Sequence, residues 1–170
     1  MLANPFGKDL PVVNLRPGEL YVAWEPTIIL TILGSCVAVC LYNPSKRIGA
    51  MCHGVMPTRG EAQADCGRFV DCAVHYMVNK IGRLVGGRCM DLEAKLFGGA
   101  DVINYGVTAA GRPKRVGEQN VEVARMVLAE FGIPLRTAQV GGRHGCKMYF
   151  CSSTGEVLMK YIGKTNPLRR

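Results

Sequence analysis

Cys36 and His53, in the first third of the chain, have the side chains that hydrolysis through a cysteine requires. Cys36 follows Gly34-Ser35 in the stretch TILGSCVAVCLYNP, where the glycine interrupts an apolar run. The chemistry needs a thiolate, a histidine within hydrogen-bond reach to carry protons, and a third group that fixes the imidazole. A glycine in a strand permits a bulge or kink that re-aims a neighbouring side chain. These residue types make Cys36 a candidate nucleophile.

A hairpin predicted over residues 27–56 would bring the two side chains together. Its turn is NPSKR (43–47), and its second arm is IGAMCHGVM. With the turn centred at 44–45, Cys36 faces His53, and opposed residues have Cβ atoms about 4.5–5.5 Å apart. Thr31, upstream on the same predicted strand, could bond the far ring nitrogen. Spacing alone favours the ordinary alternative, a packed core cysteine beside a structural histidine.

Other site chemistry is poorly supported by the spacing of possible ligands. The chain has eight cysteines and three histidines but no Cys-x-x-Cys, and its short cysteine gaps are Cys36-x3-Cys40, Cys66-x5-Cys72 and Cys146-x4-Cys151. Structural zinc sites favour paired knuckles with two to four intervening residues. The glycine pairs lack the spacing of a phosphate-binding loop or a dinucleotide fingerprint. We expect neither a metal nor a cofactor, and read the glycine pairs as tight turns.

Composition bounds the class of protein and its partners. The 170 residues suit one domain, and the net charge of +8 comes from scattered basic residues. Only 7% of the residues are aromatic, which disfavours a nucleic-acid-binding surface. No apolar run approaches the roughly 20 residues of a membrane span, and the N-terminus does not resemble a secretory signal. We therefore expect a cytoplasmic protein with no membrane insertion, whose cysteines are free thiols.

The order of predicted elements is strands, helix, strand, helix, strands. Apolar residues at helical spacing predict helices over 68–81 and 120–131, the second ended by Gly132. Tyr76 and Phe131 are expected on the buried faces of the first and the second helix. Alternating or β-branched runs predict at least six strands, and residues 104–115 read as a flexible loop. This order favours an α+β (mixed α/β) single domain with a layered β-sheet or β-sandwich core and at least two flanking helices.

Several segments, taken together, resemble the CheD family of chemoreceptor glutamine deamidases. LGSCVAVCLYNP, IGAMCHGVMP, LEAKLFGGA, VGEQN and GGRHGCKMYF…TGEV occur in the family's order over about residues 19–162. The specific part is LGSC followed by H…MP. The domain would then be residues 19–163, after a loosely held lead-in (1–18) and before a basic C-terminal tail (164–170).

The resemblance implies a cysteine hydrolase that converts receptor glutamines to glutamates. The family's nucleophile matches Cys36, its histidine matches His53, and its threonine corresponds to Thr31. Gly34 and Ser35 would position the nucleophile, with backbone N–H groups around Ser35 and Cys36 as oxyanion donors. The implied substrate is the cytoplasmic domain of a methyl-accepting chemoreceptor, and receptor methyl esters are a second possible substrate.

Two other functions compete with the deamidase. Relatives also bind a chemotaxis phosphatase of the CheC type, so the chain could be a non-catalytic regulatory module for such a partner. The positive charge suggests RNA binding, against which the scarcity of aromatic residues argues. The presence of both Cys36 and His53 favours the enzyme.

Overall fold

The structure, a computed structural model, describes residues 5–7, 9–87, 91–102 and 115–163. Nine strands and two α-helices lie within these ranges. In chain order they are β1 (Val12–Asn14), β2 (Leu20–Ala23), β3 (Ile28–Leu33), β4 (Val37–Asn43), β5 (Ile48–Gly54), α1 (Val70–Leu84), β6 (Glu93–Gly98), α2 (Val116–Glu130), β7 (Leu135–Val140), β8 (Cys146–Cys151) and β9 (Val157–Tyr161), with a 3-10 helix (Cys66–Arg68) before α1.

The strands form two sheets, and the helices cover the outer face of one of them. The first sheet has the order β1-β3-β8-β9, and the second has the order β2-β5-β4-β6-β7. One apolar cluster joins side chains of both sheets, such as Ile29, Phe150, Met51 and Phe97. The other lies between the second sheet and the helices. The predicted α+β, layered single domain is confirmed as a three-layer arrangement of sheet, sheet and helices.

Strand β4 shows why the second sheet lies in the middle. Its residues Val37, Val39 and Leu41 pack towards the helices, whereas Ala38 and Cys40 pack towards the first sheet. Successive side chains of a strand point to opposite faces, and a strand buried on both faces is apolar throughout. The continuous run CVAVCLY therefore belongs to a central strand of the middle layer.

Both predicted helices are present, with a somewhat different buried face. The buried residues of α1 are Val70, Ala73, Val74, Met77, Val78 and Ile81, and those of α2 are Gly117, Asn120, Ala124, Val127 and Leu128. Two aromatic residues expected on the buried faces, Tyr76 and Phe131, are exposed. Gly132 follows α2 with a φ of +67°, so the predicted glycine cap is confirmed.

The hairpin prediction was half right. Strands β4 and β5 form an antiparallel hairpin, but β3 belongs to the other sheet and pairs with β1 and β8. Gly34-Ser35 is thus the place where the chain crosses from one sheet to the other, rather than a bulge within one strand. The free-thiol prediction was also wrong, because Cys66 and Cys72 form a disulfide between the 3-10 helix and α1.

The predicted N-terminal lead-in contains a strand, and the other predicted irregular segments lie almost wholly outside the described residues. Part of the expected lead-in, Val12–Asn14, forms β1 and pairs in parallel with β3. Most of the predicted loop 104–115 and the whole predicted tail 164–170 lie outside the described residues. The domain boundaries therefore remain a prediction.

Candidate active site

Cys36 lies in the bend that joins the two sheets, just before the first residue of β4. The β4–β5 ladder ends at the pair Val37 and Gly54, so Cys36 stands one position beyond it. Its side chain is half-buried at the edge of the cluster between the sheets. Cys40, four residues on, is fully buried. Position alone therefore gives the first of these two thiols access to a substrate.

The bend is held by backbone hydrogen bonds to the segment that follows β6. Ala100 N–H donates to the Gly34 carbonyl at 2.8 Å, and Gly99 N–H donates to the Cys36 carbonyl at 2.8 Å. Gly98 has a φ of +96°, and a Cβ there would lie 2.3 Å from the Cys36 carbonyl oxygen. Only glycine tolerates both conditions. The pair Gly98-Gly99, predicted to be a simple turn, therefore also supports the bend that contains Cys36.

His53 is buried near the end of β5, with its side chain between the two sheets. Its backbone N–H donates to the Glu19 carbonyl at 2.8 Å, and its carbonyl accepts from Gly18 N–H at 2.9 Å. Its partner across the hairpin is Ala38. The predicted direct opposition of Cys36 and His53 is therefore wrong by two residues, and Cys36 lies diagonally rather than opposite.

Thr31 reaches His53 from the first sheet and determines which ring nitrogen carries the proton. The Thr31 Oγ1 atom lies 2.7 Å from His53 Nδ1 and donates to the Leu15 carbonyl at 2.9 Å. A hydroxyl has one proton, so Oγ1 must accept from Nδ1–H. The neutral imidazole then has its free lone pair on Nε2. Thr31 thus holds His53 in the tautomer that a general base at Nε2 needs.

Burial favours the uncharged forms of both reactive groups. Burial raises the pKa of the Cys36 thiol above 9.0, although its own backbone N–H and the Arg68 guanidinium oppose this shift. Burial lowers the pKa of His53 below 6.5, opposed by the Leu15 carbonyl and the charge of Glu19. At neutral pH the site therefore holds a thiol and a neutral imidazole rather than an ion pair.

The sequence did not indicate the backbone carbonyls of this site. The Leu15 carbonyl, in the expected lead-in, accepts the Thr31 proton, and no side-chain pattern could have indicated it. Ser35, expected as a positioning residue, contributes its carbonyl, which accepts from Asn120 Nδ2 at 3.3 Å. Asn120 is the last residue of VGEQN, a segment that carried the family resemblance without a role. The other histidines, His75 and His144, are exposed.

The described residues offer neither a cluster of metal ligands nor a membrane-spanning helix. Within the described ranges, no group of three or more His, Cys, Asp or Glu side chains is placed to hold a metal ion. No helix within the described residues has both the length and the apolar character needed to cross a membrane.

Comparison with known proteins gives a consistent family. The family model described as CheD chemotactic sensory transduction matches residues 55–161, which begin just after His53. A probable chemoreceptor glutamine deamidase CheD 2 of Geobacter sulfurreducens is 41% identical over 92% of this chain and 93% of its own length. Probable chemoreceptor glutamine deamidases of Maridesulfovibrio salexigens (36% identical, 92% and 95% covered) and Anaeromyxobacter dehalogenans (39% identical, 94% and 90% covered) are similar along nearly their whole lengths. The chain belongs to the CheD family.

Proposed function

We propose that this protein is a cytoplasmic protein-glutamine deamidase that acts on chemoreceptors, with Cys36 as nucleophile, His53 as general base and acid, and Thr31 as the group that orients His53. The observation that carries the proposal is the contact of Thr31 Oγ1 with His53 Nδ1 and the Leu15 carbonyl, at 2.7 and 2.9 Å. This contact leaves Nε2 of the neutral imidazole free to accept a proton, which a general base for Cys36 requires.

The first half of the reaction forms a thioester. The Cys36 thiol gives its proton to His53 Nε2 as the sulfur attacks the carboxamide carbon of a glutamine side chain. The carbonyl oxygen becomes an oxyanion, and the backbone N–H of Cys36 is the proposed donor to it. When the C–N bond breaks, His53 Nε2–H protonates the leaving nitrogen and ammonia departs. Because the resting site is uncharged, proton transfer accompanies attack.

The second half restores the enzyme. His53 Nε2 takes a proton from water, and the hydroxide attacks the thioester carbonyl carbon. The C–S bond breaks, the proton returns to the Cys36 sulfur, and the product is a glutamate side chain. A glutamate methyl ester has the same acyl group with methanol as leaving group, so ester hydrolysis is a second reaction open to this site.

The substrate assignment rests on the names of the relatives. The proteins of Geobacter sulfurreducens and Maridesulfovibrio salexigens are both named probable chemoreceptor glutamine deamidases. A half-buried nucleophile at the edge of the fold suits a side chain presented by another protein. No nucleic acid is part of this proposal.

Replacement of the nucleophile tests the proposal. Cys36→Ala should lower ammonia release from a chemoreceptor cytoplasmic fragment by about 10⁴-fold or more, because no other group can form the thioester. Mass spectrometry of the fragment should show glutamine-to-glutamate conversion with the unaltered protein and none with Cys36→Ala. Cys40→Ala is the matched control, since this thiol is buried and should leave the turnover rate within about twofold. Full activity of Cys36→Ala would refute the assignment.

The regulatory-module alternative makes a different prediction. A non-catalytic protein that binds a CheC-type phosphatase would bind it equally well with Cys36→Ala and would release no ammonia in either form. His53→Ala separates the two functions as well. His75→Ala is its control, because His75 is exposed, its Nδ1 lies 2.8 Å from the Asp71 carbonyl of its own helix, and its ring contacts Phe131 edge-on. Loss of ammonia release in His53→Ala but not in His75→Ala supports the enzyme.

A further inference from the structure

Asn120 is buried at the base of the candidate site, although it lies 67 residues beyond His53 in the chain. It stands in the second turn of α2, and its side chain is 0% exposed. Its Nδ2 atom donates to the Ser35 carbonyl at 3.3 Å and to the Val55 carbonyl at 3.0 Å. Among the described residues, its Oδ1 atom has no hydrogen-bond partner.

The two carbonyls that Asn120 joins flank the two reactive residues. Ser35 directly precedes Cys36, and Val55 follows His53 by two residues. The β4–β5 ladder ends at Val37 and Gly54, so neither carbonyl lies within it. The Asn120 amide thus spans the two chain segments just past the last ladder pair, where nothing in the ladder itself fixes their separation.

The bond to the Ser35 carbonyl also determines the direction of the Cys36 N–H. In a trans peptide the C=O and the N–H point to opposite sides, and no cis bond occurs among the described residues. Because the Ser35 carbonyl points to Asn120, the Cys36 N–H points away from α2. It lies near the Cys36 sulfur, where it lowers the pKa of the thiol.

Three consecutive carbonyls of the bend are therefore turned into the protein. The Gly34 carbonyl accepts from Ala100 N–H and the Cys36 carbonyl from Gly99 N–H, both at 2.8 Å. The Ser35 carbonyl, between them, has a side chain as its partner. A donor fixed in this way stabilises a developing oxyanion without reorganisation.

We propose that Asn120 is a positioning residue for the deamidation reaction, which sets the Ser35–Cys36 peptide so that the Cys36 N–H faces the oxyanion and holds the nucleophile segment against the strand end that follows His53. The two donated hydrogen bonds carry this role. The unpaired Oδ1 has a cost in free energy that an apolar side chain packed for stability alone would avoid.

The test compares two substitutions of Asn120 with a control on the same helix. Asn120→Ala removes both hydrogen bonds, and Asn120→Asp keeps the volume but turns oxygen towards both carbonyls. The control, Val127→Ala, opens a cavity at another buried position of α2. We expect kcat for ammonia release to fall about 10- to 100-fold in both Asn120 variants, with KM within about threefold. Val127→Ala should keep kcat within about twofold.

A second measurement separates positioning from general loosening. Alkylation of the Cys36 thiolate by iodoacetamide involves no oxyanion, so its limiting rate, taken from a pH–rate profile that allows for any change in the pKa of the thiol, should stay within about threefold in either Asn120 variant. If one variant fails to fold, the other carries the comparison. Unchanged kcat in a folded Asn120 variant would overturn the proposal, as would an equal fall of kcat in Val127→Ala, or alkylation reduced as much as kcat.

This inference rests on the proposed deamidase function, and its failure is distinguishable from failure of that function. If the unaltered protein releases no ammonia, the proposed function and the role of Asn120 in it both fail. If ammonia release requires Cys36 but does not change with Asn120, only the role of Asn120 is refuted.

Discussion

Cys36 and Cys40 are four residues apart, yet the structure gives them opposite chemical environments. Cys40 lies within β4, paired with Met51 on one side and Lys95 on the other, and its side chain is 1% exposed. Cys36 lies in the bend before β4, outside the ladder and half-buried. The same thiol group is inert where its backbone belongs to a ladder between two layers, and accessible where the ladder ends. The difference comes from the backbone.

The ends of the ladder also explain how the site is assembled. Past the last β4–β5 pair, the chain on the cysteine side is tied to Gly99 and Ala100, and the chain on the histidine side is tied to the 3-10 helix, since Val55 N–H donates to the Arg68 carbonyl at 2.9 Å. Each side thus has its own anchor. A reactive pair requires both anchors to hold the two sides at a fixed separation.

The largest expected effect is a difference in reactivity between the two thiols. Iodoacetamide should modify Cys40 at least about 1,000-fold more slowly than Cys36, because the reaction at Cys40 needs both local opening and ionisation. Burial raises the pKa of Cys40 well above 9.0, and less so that of Cys36. Peptide mass spectrometry after timed alkylation measures both rates. Comparable rates would show that the fold does not separate the two cysteines.

The elements that surround the two cysteines could largely be predicted from the sequence, because they depend on the local pattern of apolar residues. The strand around Cys40, the arm with His53 and both helices follow from apolar periodicity. Residue types and strand position made Cys36 and Thr31 candidates, and the family resemblance favoured them over the ordinary alternative of a packed core cysteine. The structure added the contact of Thr31 with His53.

The assignment of strands to sheets could not be predicted in the same way. A buried run broken by Gly34-Ser35 has the same pattern whether it bends within one sheet or crosses to another. The predicted register of the β4–β5 hairpin was wrong because the centre of its turn was misplaced. The turn has four residues between Asn43 and Ile48, with Arg47 at a φ of +55°, so its centre lies one residue later than assumed. A shift of one residue at the centre moves each pair by two.

The Cys66–Cys72 disulfide also could not be predicted from the sequence. Compartment and composition favoured free thiols, but folding brings the Cα atoms of Cys66 and Cys72 to 5.2 Å, within the range that a bridge requires. The spacing of the two cysteines in the sequence says nothing of this distance. It follows from the 3-10 helix folding back against the first turn of α1.

The next largest effect should come from Gly98. This residue supports the bend that contains the accessible Cys36 thiol. Gly98→Ala introduces a Cβ against the Cys36 carbonyl oxygen at a φ of +96°. We expect kcat to fall about 100-fold, because the bend must move, and the free energy of unfolding to fall by about 2 kcal/mol or more. Turnover assays and denaturant titration measure the two effects.

Gly132→Ala is the matched control for Gly98→Ala. Gly132 also has a positive φ, of +67°, but a Cβ there meets nothing within 4 Å. It should lose only about 1 kcal/mol of stability and keep its turnover rate. Equal losses of kcat in the two variants would show that backbone strain, and not contact with the Cys36 segment, explains the effect.

The smallest of these effects concerns His53, the proposed base for Cys36. Thr31→Val removes the acceptor of the His53 Nδ1–H, so kcat should fall about tenfold as the ring loses its fixed tautomer. The active form of His53 is neutral, and its pKa lies below 6.5, so kcat/KM of the unaltered protein should fall only as pH drops below that value. The lost hydrogen bond favoured the imidazolium, so its removal lowers the pKa of His53 further and moves this acid limb of the pH profile to lower pH.

Thr27→Val is the control for Thr31→Val. It removes another buried hydroxyl bonded to a backbone carbonyl and should leave the pH profile unchanged. An acid limb that moved to higher pH in Thr31→Val would mean that Thr31 donates to His53 rather than accepts from it, and would reverse the tautomer.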